Sequence, residues 1–299
     1  MDDDSPGKIP GPLFFCLFIL AVLPAGAQSP VVSISGALEW DKMEISAQVS
    51  LNLKSAGLRL PTGRSGAEEL ISAEYMALMR PLILSIPVDS SGTVADHLAG
   101  GEFSLRRAEN YALSARSVPP AMSADLENMM AAYTISLGGL SGEFIKNRRP
   151  QSPPRVLAAL PGAAYTGIII IAGGELPLHG TRRSASVLPC LFPKIWDSDM
   201  NLVYDRGMLA SREKVMVHYA GEDSIFQRNP SGLSAELRAL VGDKPLKILA
   251  RGVYGKRPTD PIIDAKDALA ITSSEENRGL LRDGKVVVIL DRAVLKTEF

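Results

Sequence analysis

Few residues of this 299-residue chain combine a reactive type with the spacing that catalysis or metal binding requires. The three histidines, His97, His179 and His218, are not spaced as a metal-binding pair on one helix or strand would be. Ser65 and Ser184 lack the Gly-x-Ser-x-Gly surroundings of a nucleophilic serine. No sequence motif therefore indicates a catalytic role, although folding can still bring together carboxylates from distant segments.

The stretch 197–201 begins like a calcium loop, with acidic or amide side chains at alternate positions. A complete loop needs a glycine at its sixth position and a glutamate at its twelfth. This chain has Leu202 and Met208 there. We therefore expect a hairpin turn in which the short acidic side chains bind the backbone.

Gly173 and Gly174 follow an apolar run, and bare glycines at such a place can bring backbone N–H groups close to a phosphate. No further glycines and no lysine-serine pair complete a nucleotide-binding motif. The two glycines are predicted to form a turn that ends a strand. The basic pairs 148–149 and 182–183 are predicted to be solvated loop charge, and either could contact an acidic partner.

The other reactive side chains also have structural explanations. Asp260, Asp264 and Asp267 lie close in sequence and suit the exposed start of a helix, with Asp264 as its cap. Cys190 stands among apolar residues and is predicted to be buried. We predict no catalytic, cofactor-binding or metal-binding residue, and no cofactor.

The N-terminus has the pattern of an export signal. Residues 12–23 are uncharged and too short a run for the ~20 residues of a membrane-spanning helix. The small residues 25–27 then fit a signal peptidase, which predicts cleavage between Ala27 and Gln28. Residues 1–8 hold three acids and one base where positive charge is typical, so a later start or an uncleaved anchor remain as alternatives.

The composition of the mature chain bears on its partners, its disulfide bonds and its location. Removing residues 1–27 leaves 31 basic and 30 acidic residues, which gives no electrostatic reason to expect nucleic acid as a partner. Only Cys190 remains, so no intrachain disulfide can form. No further apolar run is long enough to span a membrane, and the mature protein is expected to be soluble and periplasmic or secreted.

The first half of the mature chain mixes strands and helices. Residues 31–38 and 43–53 alternate apolar and polar positions and predict a β-hairpin. Ser65 and Glu68 form a capping box that predicts a helix start, and Pro81 predicts its end or a kink. The remaining segments are predicted to be helical over 102–116 and 123–132 and extended over 133–145.

A proline-rich polar segment, residues 147–155, predicts a boundary between two domains. We expect a signal peptide at 1–27 and domains at 28–147 and 155–299. The second domain is predicted to contain strands at 166–172, 195–204, 214–219, 246–253 and 285–290, and helices between 264 and 282. Because no regular strand-helix-strand rhythm is present, the prediction is α+β, two mixed modules with antiparallel or mixed sheets.

Several short motifs resemble those of a known group of proteins. Residues 165–172, 193–195 and 203–204, read as Tyr-Thr-Gly before an isoleucine strand, Pro-Lys-Ile and Val-Tyr, resemble the C-terminal module of exported bacterial proteins of unknown function. Trp40-Asp41 and Val88-Asp89 are similar to the N-terminal part of envelope lipoproteins related to the flagellar assembly protein T. Those relatives often carry an acid and an arginine where this chain has Ile171 and Gly173.

The resemblance implies a periplasmic or outer-membrane-associated interaction protein near the flagellum or the cell wall, with no chemistry to carry over. We therefore expect a non-enzymatic structural or interaction protein of the cell envelope, with an envelope or flagellar protein as partner. The alternative is an exported cell-wall hydrolase or carbohydrate-binding protein that uses carboxylates assembled by folding.

Overall fold

A computed structural model describes residues 31–145, 149–152, 163–229 and 231–299. The predicted signal segment 1–27, with the cleavage point between Ala27 and Gln28, lies outside the described residues. So do residues 147–148 and 153–155 of the predicted boundary, and the two borders of the predicted domains remain predictions.

The described residues form strands and helices in mixed order, which confirms the α+β class. The strands are β1 Val32–Glu39, β2 Glu44–Asn52, β3 Arg116–Met122, β4 Asn128–Ser136, β5 Ile168–Ile171, β6 Glu175–Pro177, β7 Ser184–Ser186, β8 Ile195–Asp197, β9 Leu202–Tyr204, β10 His218–Gly221, β11 Leu246–Leu249, β12 Gly252–Tyr254, β13 Asp260–Ile263, β14 Val286–Leu290 and β15 Lys296–Glu298. The α-helices are α1 Arg64–Ser85, α2 Val94–Ala99, α3 Leu105–Leu113, α4 Leu137–Phe144, α5 Ala235–Val241, α6 Ala265–Thr272, α7 Glu275–Arg282 and α8 Arg292–Leu295.

The first sheet is antiparallel, with the order β15-β1-β2-β4-β3. The predicted hairpin is confirmed, because β1 and β2 pair from Val32 opposite Leu51 to Glu39 opposite Glu44. Alternate residues of β2, such as Val49 and Leu51, are fully buried, as period-two patterning requires. The edge strand β3 carries two prolines, which discourage a further strand from pairing there.

Helix α1 differs from its prediction at both ends. It begins at Arg64 without a side-chain cap, and Glu68 pairs with Arg64 (3.2 Å) instead of closing a capping box with Ser65. It also continues through Pro81 to Ser85. Its buried residues recur every four positions through Ile83, beyond the proline, and their burial outweighs the hydrogen bond that a proline removes.

The segment predicted as a helix, 123–132, is a turn followed by the start of β4. Buried residues alternate along β4, with Met129 and Ala131 inward, so the period is that of a strand. The segment predicted as extended, 133–145, leaves the sheet after Ser136 and forms α4. Tertiary packing overrides local propensity in both segments.

The second sheet is wholly parallel and has the order β10-β14-β5-β11. Its central strands β5 and β14 lie within the strands predicted at 166–172 and 285–290, and they are almost entirely buried, as is typical of a parallel sheet. A third sheet, β12-β13-β8-β9, contains the hairpin predicted at 195–204, and β6 pairs with β7.

The two halves of the described chain are joined by backbone pairing. The last strand, β15, pairs antiparallel with β1 at the edge of the first sheet. The N–H groups of Leu191 and Phe192 donate to Pro87 O (3.1 Å) and Val88 O (2.8 Å). As a result, Val31–Phe299 form a single compact unit. Within the described residues no helix combines the length and apolarity needed to cross a membrane.

Ile170 tests the position of β5. Its side chain is fully buried between β14 and β11, so Ile170→Asp should destabilise the protein by about 3 kcal/mol or more by burying a carboxyl group without a partner. Chemical denaturation measures the loss. Leu249→Asp is the matched control, because Leu249 lies on edge strand β11 and is 53% exposed. Equal stability of wild type and Ile170→Asp would contradict a central β5.

Candidate functional site

The carboxyl edge of the parallel sheet is where ligands bind in open α/β sheets. Three loops meet there, one after each of β5, β10 and β14, and bring Gly173, Glu222 and Asp291 together. A Cβ atom on Gly173 would lie 2.4 Å from Glu222 Oε1 and 3.1 Å from Asp291 Oδ1. A side chain at position 173 would therefore crowd two carboxylates from distant segments, and the exposed end of Glu222 would have to move aside.

The Gly173-Gly174 turn binds a carboxylate of the protein itself. The N–H of Gly174 lies 3.0 Å from each carboxylate oxygen of Asp291. The amide that could face a phosphate therefore already has an anionic partner, and Glu222 adds a second negative charge beside it. The geometry agrees with the predicted strand-ending turn and opposes anion binding.

A cleft of about 480 Å³ opens beside this edge, between the β1-β2 turn and helix α5. Leu237 contributes to its apolar part, and its rim includes two ion pairs, Lys42 with Glu39 (3.0 Å) and Arg292 with Asp223. Its volume falls in the range of small-molecule sites. The charges of these four rim residues are paired within the protein.

His97 is the histidine with the closest ionisable neighbours. Its Nδ1 lies 3.1 Å from Glu102 Oε2, and its Nε2 lies 3.4 Å from Asp89 Oδ2. Arg206, from the other half of the chain, also approaches Glu102 Oε2 at 3.5 Å. The ring edge of His97 packs against Phe144, with 5.6 Å between the ring centroids. The imidazole therefore links a loop and a helix of the first half.

The environment of His97 shifts the pKa values of both carboxyl groups. A hydrogen bond with His97 holds the pKa of Glu102 below its usual range, and the charges of His97 and Arg206 add to the effect. Burial raises the pKa of Asp89, but hydrogen bonds from Ser91 and the same two charges outweigh it and lower that pKa. Both carboxylates are thus stabilised in their ionised form.

Asp260 is not at an exposed helix start, as the sequence suggested, but fully buried on β13. Its carboxylate accepts hydrogen bonds from Ser90 Oγ (2.7 Å), Thr259 Oγ1 (2.9 Å) and Lys194 N (3.2 Å), and Trp196 Nε1 lies 3.5 Å away. Burial raises the pKa of Asp260, and these donors oppose the rise. The carboxylate joins the two halves of the chain.

Cys190 is buried, as predicted, and its backbone is held by a tyrosine. The Tyr219 hydroxyl donates to Cys190 O (2.8 Å) and accepts from Cys190 N (3.1 Å). Burial raises the pKa of the Cys190 thiol, which keeps it protonated and a poor nucleophile. Tyr219 also meets the Trp40 ring edge-on at 5.8 Å, a contact between the two halves.

His179 belongs to a group of three aromatic rings, in which His179 and Tyr254 are exposed and Trp196 is partly buried. Its ring centroid lies 5.9 Å from that of Tyr254, which in turn lies 5.8 Å from Trp196. The basic pair Arg182 and Arg183 follows His179 in the turn between β6 and β7, and both side chains are exposed. The turn with these predicted loop charges lies along β12, the strand that carries Tyr254, a neighbour that the sequence did not reveal.

The remaining candidate residues serve the fold. Asp197 Oδ1 accepts from the backbone N–H groups of Asp199 (2.9 Å) and Asn201 (2.8 Å), which confirms the predicted hairpin turn. Asp264 is at the N-cap of α6, but its carboxylate pairs with Arg251 (2.9 Å) in place of capping the helix.

Burial in β10 lowers the pKa of His218. Within the described ranges no group of three or more histidine, cysteine, aspartate or glutamate residues is arranged to hold a metal ion. Glu222, Asp291 and Glu102 were missed from the sequence, because each acquires its partners only through folding.

The His97 contacts predict a dependence of stability on pH. The lowered pKa values of Asp89 and Glu102 contribute stability above their unfolded values near pH 4, and this contribution is lost as pH falls through the folded values. His97→Gln should therefore make the decline in unfolding free energy between about pH 5 and pH 3 shallower. His179→Gln, an exposed control, should leave the slope unchanged. Parallel curves for wild type and His97→Gln would contradict this linkage.

A second prediction concerns the stability of two variants at the buried carboxylate of Asp260. Asp260→Ala should destabilise the protein by about 3–5 kcal/mol, because it leaves several buried donors without an acceptor. Asp260→Asn should cost less, since the amide oxygen still accepts from Lys194 and Thr259 and the Ser90 hydroxyl can rotate. Chemical denaturation provides the comparison, and equal losses for the two variants would show that the hydrogen bonds contribute little.

Comparison with protein families identifies two similar regions. Residues 31–143 match the model of the N-terminal domain of Treponema pallidum Tp0624, and residues 167–292 match the model of its second domain. Among curated proteins, none matches the chain. The first match covers β1 to α4, and the second covers the parallel sheet but ends before β15. The chain is therefore similar, in two successive regions, to the N-terminal and second domains of a Treponema pallidum protein, Tp0624.

Proposed function

We propose that this protein is an exported, non-enzymatic structural or interaction protein of the bacterial cell envelope. The observation that carries the proposal is the internal pairing of its reactive groups. His97 shares a hydrogen bond with Glu102 through Nδ1, and the Asp260 carboxylate accepts hydrogen bonds from Ser90, Lys194 and Thr259. Groups committed in this way hold the fold together, which leaves the protein surface to determine function.

Export to the envelope is supported by the sequence of the N-terminal segment. Residues 12–23 are apolar, and the small residues before Gln28 fit a signal peptidase. The similarity to domains of a Treponema protein agrees with a bacterial setting. A flagellar partner rests on the resemblance to lipoproteins related to the flagellar assembly protein T alone, and the family matches add nothing to it.

One observation favours a second function, an exported cell-wall hydrolase. Folding brings the carboxylates of Glu222 and Asp291, from different loops, to the same place beside Gly173, and a glycosidase needs two carboxylates assembled at one site. Against this, the Asp291 carboxylate is engaged by Gly174 N–H, and Glu222 is exposed to water.

Cell fractionation with an antibody against the folded protein tests the proposal. We expect the protein in the envelope or periplasmic fraction, with a mature N-terminus at Gln28 by mass spectrometry and an envelope protein that co-purifies with it. A cytoplasmic enzyme and a known periplasmic protein serve as fractionation controls. Recovery with the cytoplasmic marker would contradict the proposal.

The hydrolase alternative has its own test. Purified wild-type protein should release no soluble fragments from isolated cell walls, and Glu222→Gln should behave identically. Lysozyme is the positive control for the wall preparation. Release of fragments by wild type and its loss in Glu222→Gln would establish the hydrolase and overturn the non-enzymatic proposal.

A further inference from the structure

An exposed surface on the second half of the chain combines two residue types that dominate binding energy in protein interfaces. Tyr254, 38% exposed at the end of β12, stands edge-on to Trp196 at 70° and to His179 at 64°. Arg182 and Arg183 follow in the neighbouring turn. We name these five residues the aromatic-arginine surface.

The aromatic part of this surface is held rigidly. The indole Nε1 of Trp196 lies 3.5 Å from the buried carboxylate of Asp260. Tyr254 is paired with Asp260 across β12 and β13, and the preceding Val253 is fully buried. Rigid rings lose little conformational entropy when a partner covers them, so their contact area converts efficiently into affinity.

The turn that carries the two arginines is joined to β12 by backbone hydrogen bonds. Leu178 N–H donates to Arg183 O (2.9 Å), and His179 N–H donates to Val253 O (2.9 Å). The β6-β7 turn therefore lies along the strand that carries Tyr254. Arg251 nearby is neutralised by Asp264, whereas Arg182 and Arg183 take part in no ion pair among the described residues.

We infer that the aromatic-arginine surface is the docking site for an acidic protein segment, an inference that rests on the proposed interaction function and adds its location and partner chemistry. Aspartate or glutamate side chains of the partner would form forked hydrogen bonds with Arg182 and Arg183. An apolar side chain would enter the corner between the Tyr254 and Trp196 rings. Tryptophan, tyrosine and arginine are the residues most enriched at binding hot spots.

Charge and geometry favour an acidic protein over a polysaccharide. Sugar rings stack on flat aromatic faces, whereas the neighbours of Tyr254 stand edge-on and form a corner. The two guanidinium groups have no ion-pair partner within the part of the chain that the structure describes, and carboxylates, which acidic peptides supply at close spacing, match their charge. Because the chain as a whole is nearly neutral, the attraction is local and should weaken with salt.

Photo-crosslinking of the full-length protein in its own cells tests this inference. A benzoylphenylalanine at Tyr254 should crosslink an envelope protein through a peptide rich in aspartate and glutamate, identified by mass spectrometry. Adding Arg182→Glu and Arg183→Glu should reduce that crosslink at least ten-fold. The matched charge control is Arg59→Glu with Arg106→Glu, two exposed arginines elsewhere, which should leave it unchanged.

A probe at Phe226, which is 75% exposed, controls for position, and melting curves of the arginine variants confirm folding. The inference would be overturned if the crosslinked peptide contained no acidic residues, or if Arg182→Glu and Arg183→Glu left the yield of the crosslink unchanged. A crosslink from position 254 to a polysaccharide would also overturn the inference. Capture of an envelope partner only by the probe at Phe226 would overturn it too, but would leave the proposed function intact. Recovery of the protein in the cytoplasm would overturn both.

Discussion

The buried carboxylate of Asp260 is the contact on which the arrangement of the two halves depends. Ser90 reaches it from the first half of the chain, and Lys194 and Thr259 reach it from the second. A carboxylate removed from water is costly unless hydrogen bonds compensate it. Here the compensation requires segments from both halves in one geometry, so the loop at Ser90 and the third sheet must assemble together.

The neighbouring contacts depend on that assembly. Close to Ser90 in sequence, Pro87 and Val88 accept backbone hydrogen bonds from Leu191 and Phe192. The last strand, β15, follows the end of the second family match in sequence and pairs with β1 at the edge of the first sheet. Beside it, Phe299 and Gly36 exchange two backbone hydrogen bonds. Two regions that match separate domain models are in this way a single unit.

The sequence predicted those elements whose pattern is set locally. The β1-β2 hairpin, the isoleucine strand at 168–171 and the turn at Asp197 all follow from alternation, β-branching or short acidic side chains. The segment 123–132 was misassigned, because its methionines and alanines suit a helix and only the neighbouring β2 imposes the period of a strand. The parallel order of the second sheet was not predicted, since strand neighbours are decided by packing between distant segments.

At the candidate site, too, the local sequence did not reveal partners that come from distant segments. Two glycines after a buried strand are the local arrangement of a phosphate loop, yet Asp291, more than a hundred residues away, accepts from the amide that a phosphate would need. Asp260 likewise looks like an exposed helix-start acid in the sequence and is buried in the structure. In both cases a partner from a distant segment engages a side chain or amide that looks reactive in the sequence, and the contact stabilises the fold. Arg182 and Arg183 take part in no ion pair among the described residues, and their turn lies along β12, which carries Tyr254; this position distinguishes them from other exposed arginines as the proposed contact with a second molecule.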